Sequence, residues 1–241
     1  MQKVVIIGGG NVGVAAAVDI SQNVQFKVVL FSSHANKIVG ELCKINTDTE
    51  ERIFAKNVLV TSDCKLALVS ADIVIVTVPS FVAGKVVSLL SQYNPMMVIF
   101  VPGYGGKELY CDKLRKRGCI IAGLDRSPYV ARLENYVTVR ASSKKYIRVG
   151  CMRCEELNKI VPLVETLFKI PCTAVNNYLT VAFTPSNPIL HTARLYSLFH
   201  TMDFSTKINR LIKFYAEWDE LASDLLLKMD VELLHICSYY S

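Results

Sequence analysis

The residues best placed to do chemistry come early: Gly8-Gly9-Gly10-Asn11-Val12-Gly13 follows directly on the apolar run Lys3-Val4-Val5-Ile6-Ile7. Gly8, Gly10 and Gly13 fulfil the pattern G-x-G-x-x-G. The first glycine permits a tight turn, the second lets backbone approach a pyrophosphate, and the third lets the next helix pack closely. That helix then offers free N–H groups and a partial positive charge to phosphate. Dinucleotide binding is the chemistry implied, with Gly8, Gly10, Asn11, Val12 and Gly13 as contact residues. Which dinucleotide depends on the end of the second strand, where NAD sites usually place an Asp or Glu against the ribose hydroxyls. This chain has Ser32, Ser33 and His34 there, with Lys37 close behind and no carboxylate. Hydroxyls and a cation suit a 2′-phosphate, which favours NADP(H) over NAD(H). The alternative is that Ser32 and Ser33 are ordinary loop residues.

Two further loops should border the same crevice, because ligands of open α/β sheets bind at the carboxyl ends of the strands. Thr77-Val78-Pro79-Ser80 closes the run Ala71 to Val76, and Pro102-Gly103-Tyr104-Gly105-Gly106-Lys107 closes the next strand. Val78 to Ser80 are expected beside the cofactor, and Gly105 and Lys107 beside an anionic substrate group. A tight turn with a solvated lysine is the other reading of Lys107. A last group lies in Thr184-Pro185-Ser186-Asn187-Pro188-Ile189-Leu190-His191. A helix starting near Pro188 has Asn187 near its cap and His191 one turn on. From the residues alone, His191 reads as a satisfied core histidine. Arg194, on the same helix, is a candidate for binding a carboxylate.

The elements that must position these groups alternate. Strands are expected at Lys3 to Ile7, Phe26 to Phe31, Asn57 to Thr61, Ile73 to Val78, Met97 to Val101, Cys119 to Ala122 and Tyr136 to Arg140. Helices are expected at Val14 to Ile20, Lys65 to Ser70, Val82 to Tyr93 and Lys107 to Arg117. An edge strand at Ile147 to Gly150, a helix at Glu155 to Phe168 and a strand near Thr173 to Val175 complete the set. This alternation implies an α/β fold: a Rossmann-type, mostly parallel sheet with helices on both faces. From Tyr178 on, Leu179 to Phe183, Ile189 to Phe199, Thr206 to Ala216 and Glu220 to Ile236 all read at helical period. The expected domains are therefore 1–175, binding the nucleotide, and 176–241, a small all-α domain for substrate or dimerisation.

Composition agrees with a buried globular chain: 51% hydrophobic and 20% charged over 241 residues, with a mean hydropathy of +0.32. The longest apolar runs fall far short of the ~20 residues of a membrane span. Met1 to Ile7 is too short for a signal peptide. A soluble, cytoplasmic protein is expected. Eight cysteines without dense spacing suggest reduced core thiols, and Cys151 and Cys154 form a CxxC without ligands to complete a zinc site. No metal is expected, and a thioredoxin-like role is the lesser alternative. Of the net +6, residues 175–241 hold five Lys/Arg against seven Asp/Glu, which leaves 22 against 14 upstream. A basic first region suits a phosphate-bearing ligand. No basic run is interleaved with aromatics, which argues against nucleic acid.

The N-P-x-x-H pattern of Asn187 to His191, behind a glycine loop of this kind, resembles the octopine/nopaline (opine) dehydrogenase family. Gly103 to Glu108, Arg126-Ser127-Pro128-Tyr129-Val130-Ala131-Arg132, Phe214-Tyr215 and Asp230-Val231-Glu232 look like the same family. The resemblance implies reductive condensation of an amino acid with an α-keto acid through an imine, using NAD(P)H. It implies His191 as general acid/base and Asn187 as the group that polarises the carbonyl or imine. A neutral amide holds an oxygen without competing for its proton, and imidazole titrates near neutrality. The family also pairs its histidine with an aspartate near a substrate-binding arginine, both in a downstream segment. Asp219, Asp224 and Asp230 do not match that motif, so the second domain reads as cut short. Two readings stand beside an active opine-type enzyme. One is a catalytically impaired nucleotide-binding or interaction protein, its helices covered in a homodimer; the other is a ketopantoate-reductase-like or glycerol-phosphate-type dehydrogenase.

Overall fold

A computed structural model describes residues 1–203 and 205–239. In chain order the elements are β1 (Gln2–Ile7), α1 (Asn11–Ser21), β2 (Phe26–Phe31), β3 (Cys43–Asn46), β4 (Arg52–Phe54), β5 (Leu59–Thr61), α2 (Cys64–Leu68) and β6 (Ile73–Val76). Next come α3 (Ala83–Tyr93), β7 (Met97–Phe100), α4 (Asp112–Lys116), β8 (Ile120–Leu124), β9 (Tyr129–Leu133), β10 (Thr138–Ser143) and β11 (Ile147–Cys151). The last are α5 (Leu157–Phe168), β12 (Cys172–Ala174), α6 (Tyr178–Ala182), α7 (Ser186–Phe199) and α8 (Glu220–Ser238).

The main sheet runs β12-β11-β8-β7-β6-β1-β2-β5. From β8 to β5 the strands are parallel. Its centre is made by Ile73-Val74-Ile75-Val76 and Met97-Val98-Ile99-Phe100, buried at every position. Continuous apolar runs of this kind, rich in Val and Ile, belong to strands covered on both faces. Along β1 the side chains alternate: Val4 and Ile6 enter one core with α1 and α5, Val5 and Ile7 another with α2 to α4. The sheet thus carries helices on both faces. The expected edge strand at 147–150 is β11, which lies inside the sheet, antiparallel to β8 and parallel to β12 beyond it.

A second, four-stranded sheet, in the order β4-β3-β10-β9, corrects the expectation for Tyr136 to Arg140. That strand forms as β10, but outside the parallel sheet, pairing with β9 and β3. All four of its strands touch α1. This explains why α1, Asn-Val-Gly-Val-Ala-Ala-Ala-Val-Asp-Ile-Ser, has every residue from Gly13 to Ser21 buried. A helix without a polar stripe needs cover all round, and alanines let both sheets approach. Its one charge, Asp19, meets Lys44 of β3 at 2.5 Å, both nearly sealed from solvent. Pairing is what makes a buried charge tolerable.

The chain divides into two compact units, Met1–Ala182 and Phe183–Ser241. Helix α6 contacts β8 and β11 and so falls with the first unit. In the second, α7 packs on α8. The helix expected at Thr206 to Ala216 does not form: residues 206–213 are without regular structure and 214–217 make a turn. Arg194 holds the end of that segment in a non-helical path, as described below.

Candidate functional site

Each glycine of the loop meets the demand its position makes. Gly8 has φ +120°, and a side chain there would lie 2.6 Å from Thr77 Oγ1. A Cβ at Gly13 would sit 1.8 Å from the Gly8 carbonyl oxygen, the close helix-to-loop packing predicted for the third glycine. At Gly10 a Cβ would meet nothing within 4 Å, so backbone there faces open space that a phosphate can enter. The first helical bond of α1 runs from Val14 N–H to the Gly10 carbonyl at 3.0 Å. The N–H groups of Asn11, Val12 and Gly13 therefore precede the helical ladder and point from its N-terminus. The side chains of Asn11 and Val12 serve the fold instead. Asn11 Oδ1 accepts the Leu133 N–H at 2.8 Å, tying the loop to the second sheet, and Val12 packs on the core.

Above the loop lies a cleft of about 590 Å³. Gly8, Gly9 and Gly10, Ser32, Ser33 and His34, and Val78 and Pro79 line it together, so three segments singled out in the sequence converge. Ser32 is buried, its Oγ accepting the His34 N–H at 3.1 Å; Ser33 Oγ lies 3.2 Å from His34 Nδ1. Lys37 is exposed, with Nζ 5.6 Å from the centroid of the Tyr136 ring. Ser80 and Lys37 are not among the residues lining this cleft. Ser80 abuts the next loop, where a Cβ on Gly105 would fall 2.3 Å from its Oγ. Thr77 of the loop after β6 also lines the cleft, as do Leu133 and Tyr136, which the sequence does not single out for this site. The residues present fit a dinucleotide: donors at a helix N-terminus, room at Gly10, and hydroxyls after β2. A smaller cleft of about 300 Å³, between Gln2, Asp72, Met96 and Gly118, opens at the other ends of the strands, away from where such sheets bind ligands.

Lys107 is no solvated lysine. It is 2% exposed and donates from Nζ to the Pro102 carbonyl at 2.8 Å. Burial pushes its pKa down to about 8. The neighbouring Glu108 carboxyl is pushed up, again mainly by burial, and its Oε2 is buried without a hydrogen-bond partner among the described residues.

In the second unit, Asn187 is exposed on the first turn of α7. His191 Nε2 lies 2.9 Å from Tyr215 Oη, and its ring meets Phe214 edge-on at 5.6 Å between centroids. The partner of the imidazole here is a phenol, where an aspartate was the pattern sought. Arg194, expected to bind a substrate carboxylate, is 1% exposed. Its Nε donates to the Phe214 carbonyl at 2.9 Å, its Nη1 to Asp219 at 2.6 Å, and its Nη2 to the Glu217 carbonyl. A guanidinium so engaged ties down the segment before α8; a substrate carboxylate would have to displace Asp219. All eight cysteines are free. Among the described residues no cluster of three or more His, Cys, Asp or Glu is arranged to hold a metal. No described helix is long and apolar enough to cross a membrane.

Fold and cleft together define an α/β chain with a Rossmann-type first unit, a glycine loop bordering a cleft, and a helical C-terminal region. Within that class, residues 3–109 match the N-terminal region of NAD-dependent glycerol-3-phosphate dehydrogenases. The whole chain has the fold of the opine dehydrogenases, as the sequence resemblance implied. Superposition on an octopine dehydrogenase solved with NADH and L-arginine gives a TM-score of 0.80 at 19% identity, covering 99% of this chain and 64% of that one. Against a yersinopine dehydrogenase with NADP+ bound, the TM-score is 0.71 at 15% identity, covering 93% and 61%. The uncharacterized protein y4xO of Sinorhizobium fredii is 24% identical over 212 residues, 81% of this chain and 56% of that protein. The chain thus spans between a half and two thirds of the length of these relatives.

Proposed function

We propose that this chain is an NAD(P)H-dependent oxidoreductase of the opine type, joining an amino acid to an α-keto acid by reducing the imine between them. The observation that carries the reading is the cleft above Gly8 to Gly13, in a fold that follows octopine dehydrogenase over nearly the whole chain. A bound nicotinamide dinucleotide supplies the hydride. Its phosphates would be held by the N–H groups of Asn11, Val12 and Gly13, with Val78 and Pro79 flanking it and Ser80 one residue beyond, against Gly105. NADP(H) is the preferred form, supported by the serines and Lys37 after β2 and by the want of a carboxylate there. His191 gives and takes the proton, and its contact with Tyr215 fixes the ring; Asn187 holds the carbonyl or imine. Gly105 lies on the substrate loop. Residues 176–241 act as the substrate and dimerisation part, with a homodimer burying exposed apolar side chains of α8.

A second reading, nucleotide binding without turnover, is favoured by one observation. No carboxylate hydrogen-bonds to His191 among the described residues, and Arg194 is engaged internally. Calorimetric titration with NADPH and NADH, then NADPH oxidation with pooled amino acids and α-keto acids, decides between them. The opine reading expects NADPH binding with turnover that His191→Ala abolishes while binding persists. Binding without turnover on any pair establishes the second reading. Turnover on dihydroxyacetone phosphate alone would replace both with a glycerol-phosphate dehydrogenase.

A further inference from the structure

The cleft has two walls of different origin. One is the glycine loop with the segment after β2; the other is the tip of the β9–β10 hairpin, which belongs to the second sheet. Tyr136, at that tip, is 48% exposed yet lines the same cleft as Ser33 and His34. Its position is held from several directions. Asn135 Oδ1 accepts the N–H groups of Val137 and Thr138 at 2.9 and 2.7 Å, closing the turn. The strand leading in is bonded to the glycine loop through Leu133 and Asn11. Lys37, from the segment following β2, rests 5.6 Å from the centre of the ring. In folds of this type the residues after the second strand meet the adenosine ribose. The aromatic ring and its cation therefore stand at the adenosine end.

We propose that Tyr136 is the stacking wall for the adenine, and that Lys37, held on the same ring, binds a phosphate on the adenosine ribose. The second sheet is then half of the nucleotide site as well as a cover for α1. Every base offers a π-face, so such a wall is insensitive to the rest of the ligand. A cation over a ring face is attracted by the ring quadrupole, which helps to aim it. The inference rests on the dinucleotide reading above and adds to it the residue that grips the base.

The test is calorimetric titration of the wild type, Tyr136→Ala, Tyr136→Leu, Tyr136→Phe and Lys37→Gln with NADPH, NADH and 2′,5′-ADP, with a thermal melt of each. Tyr136→Ala and Tyr136→Leu should weaken all three ligands alike, by about tenfold, and Tyr136→Phe by less than about twofold, because the ring carries the stacking. Lys37→Gln should weaken NADPH and 2′,5′-ADP by about fivefold and leave NADH nearly unchanged, as loss of one phosphate contact would. If the wild type binds and the alanine and leucine variants bind equally well with unchanged melting, the dinucleotide reading stands and this inference falls. Should Lys37→Gln weaken NADH as much as NADPH, the role given to Lys37 is wrong. A wild type that binds none of the three removes the dinucleotide reading and this inference with it.

Discussion

Helices α1 and α8 are both rich in apolar residues, yet they end in opposite surroundings. Nine consecutive residues of α1 are buried, Gly13 to Ser21; in α8 only Ala222 is. Leu227, Val231 and Leu234, spaced at i, i+4 and i+7, are 63%, 50% and 60% exposed, although they share a helical face. The difference lies in what comes to meet each helix. The main sheet and the second sheet both close on α1, whereas α8 has α7 on one side among the described residues. An apolar helix announces that it needs cover, but not where the cover comes from. For α1 the cover comes from distant strands of the same chain. For α8 the proposed dimer supplies it.

The comparison is most severely tested at Gly13. Gly13→Val places carbon where the Gly8 carbonyl already stands. The expected result is loss of more than about 4 kcal/mol of stability together with loss of nucleotide binding, followed by melting and titration. A folded variant with intact binding would show that the close packing is dispensable. Next in size, Ala16→Leu forces a larger side chain between two sheets and should cost about 1–3 kcal/mol by denaturant unfolding. Leu227→Lys on α8 should alter stability of the monomer by less than about 0.5 kcal/mol while shifting sedimentation from dimer toward monomer. Equal destabilisation by the two substitutions would erase the contrast.

Smallest is a pH effect. Burial lowers the folded pKa of Lys107 to about 8 from an ordinary 10.5. Between those values the unfolded chain binds the extra proton, so Lys107 makes stability rise with pH from about 8 to about 10.5. Lys107→Met should flatten that rise in melting temperature across the window. An unchanged slope would mean that other groups produce it.

Much of this architecture is legible in the residues. Val/Ile runs such as Ile73 to Val76, short and β-branched, read as central strands, and the glycine spacing at 8, 10 and 13 states its own geometry. The second sheet is not legible, because β4 has three residues and β3 four, too short for an alternating pattern, and β3 carries Lys44 on a buried face. Tyr136 escaped notice for a related reason. Its strand touches the glycine loop through a pair 122 residues apart in sequence, and no local spacing records such a pair. Residues 206–216 read as a helix by periodicity, yet Arg194 donates to the carbonyls of Phe214, within that segment, and of Glu217, just after it. Tyr215 as the neighbour of His191 was hidden by the search for an acid.

The origin of the second sheet also sets a timetable. Helix α1 is complete at Ser21, but its outer cover awaits β9 and β10, which end at Ser143. At about 5–20 residues per second, a ribosome leaves that helix half covered for roughly 6–24 s. Contacts so distant in sequence also slow folding, since loop closure precedes their reward. Damage to β9 or β10 would therefore be felt first during synthesis, as chains lost to aggregation through the bare face of α1, and only afterwards in the stability of those that finish.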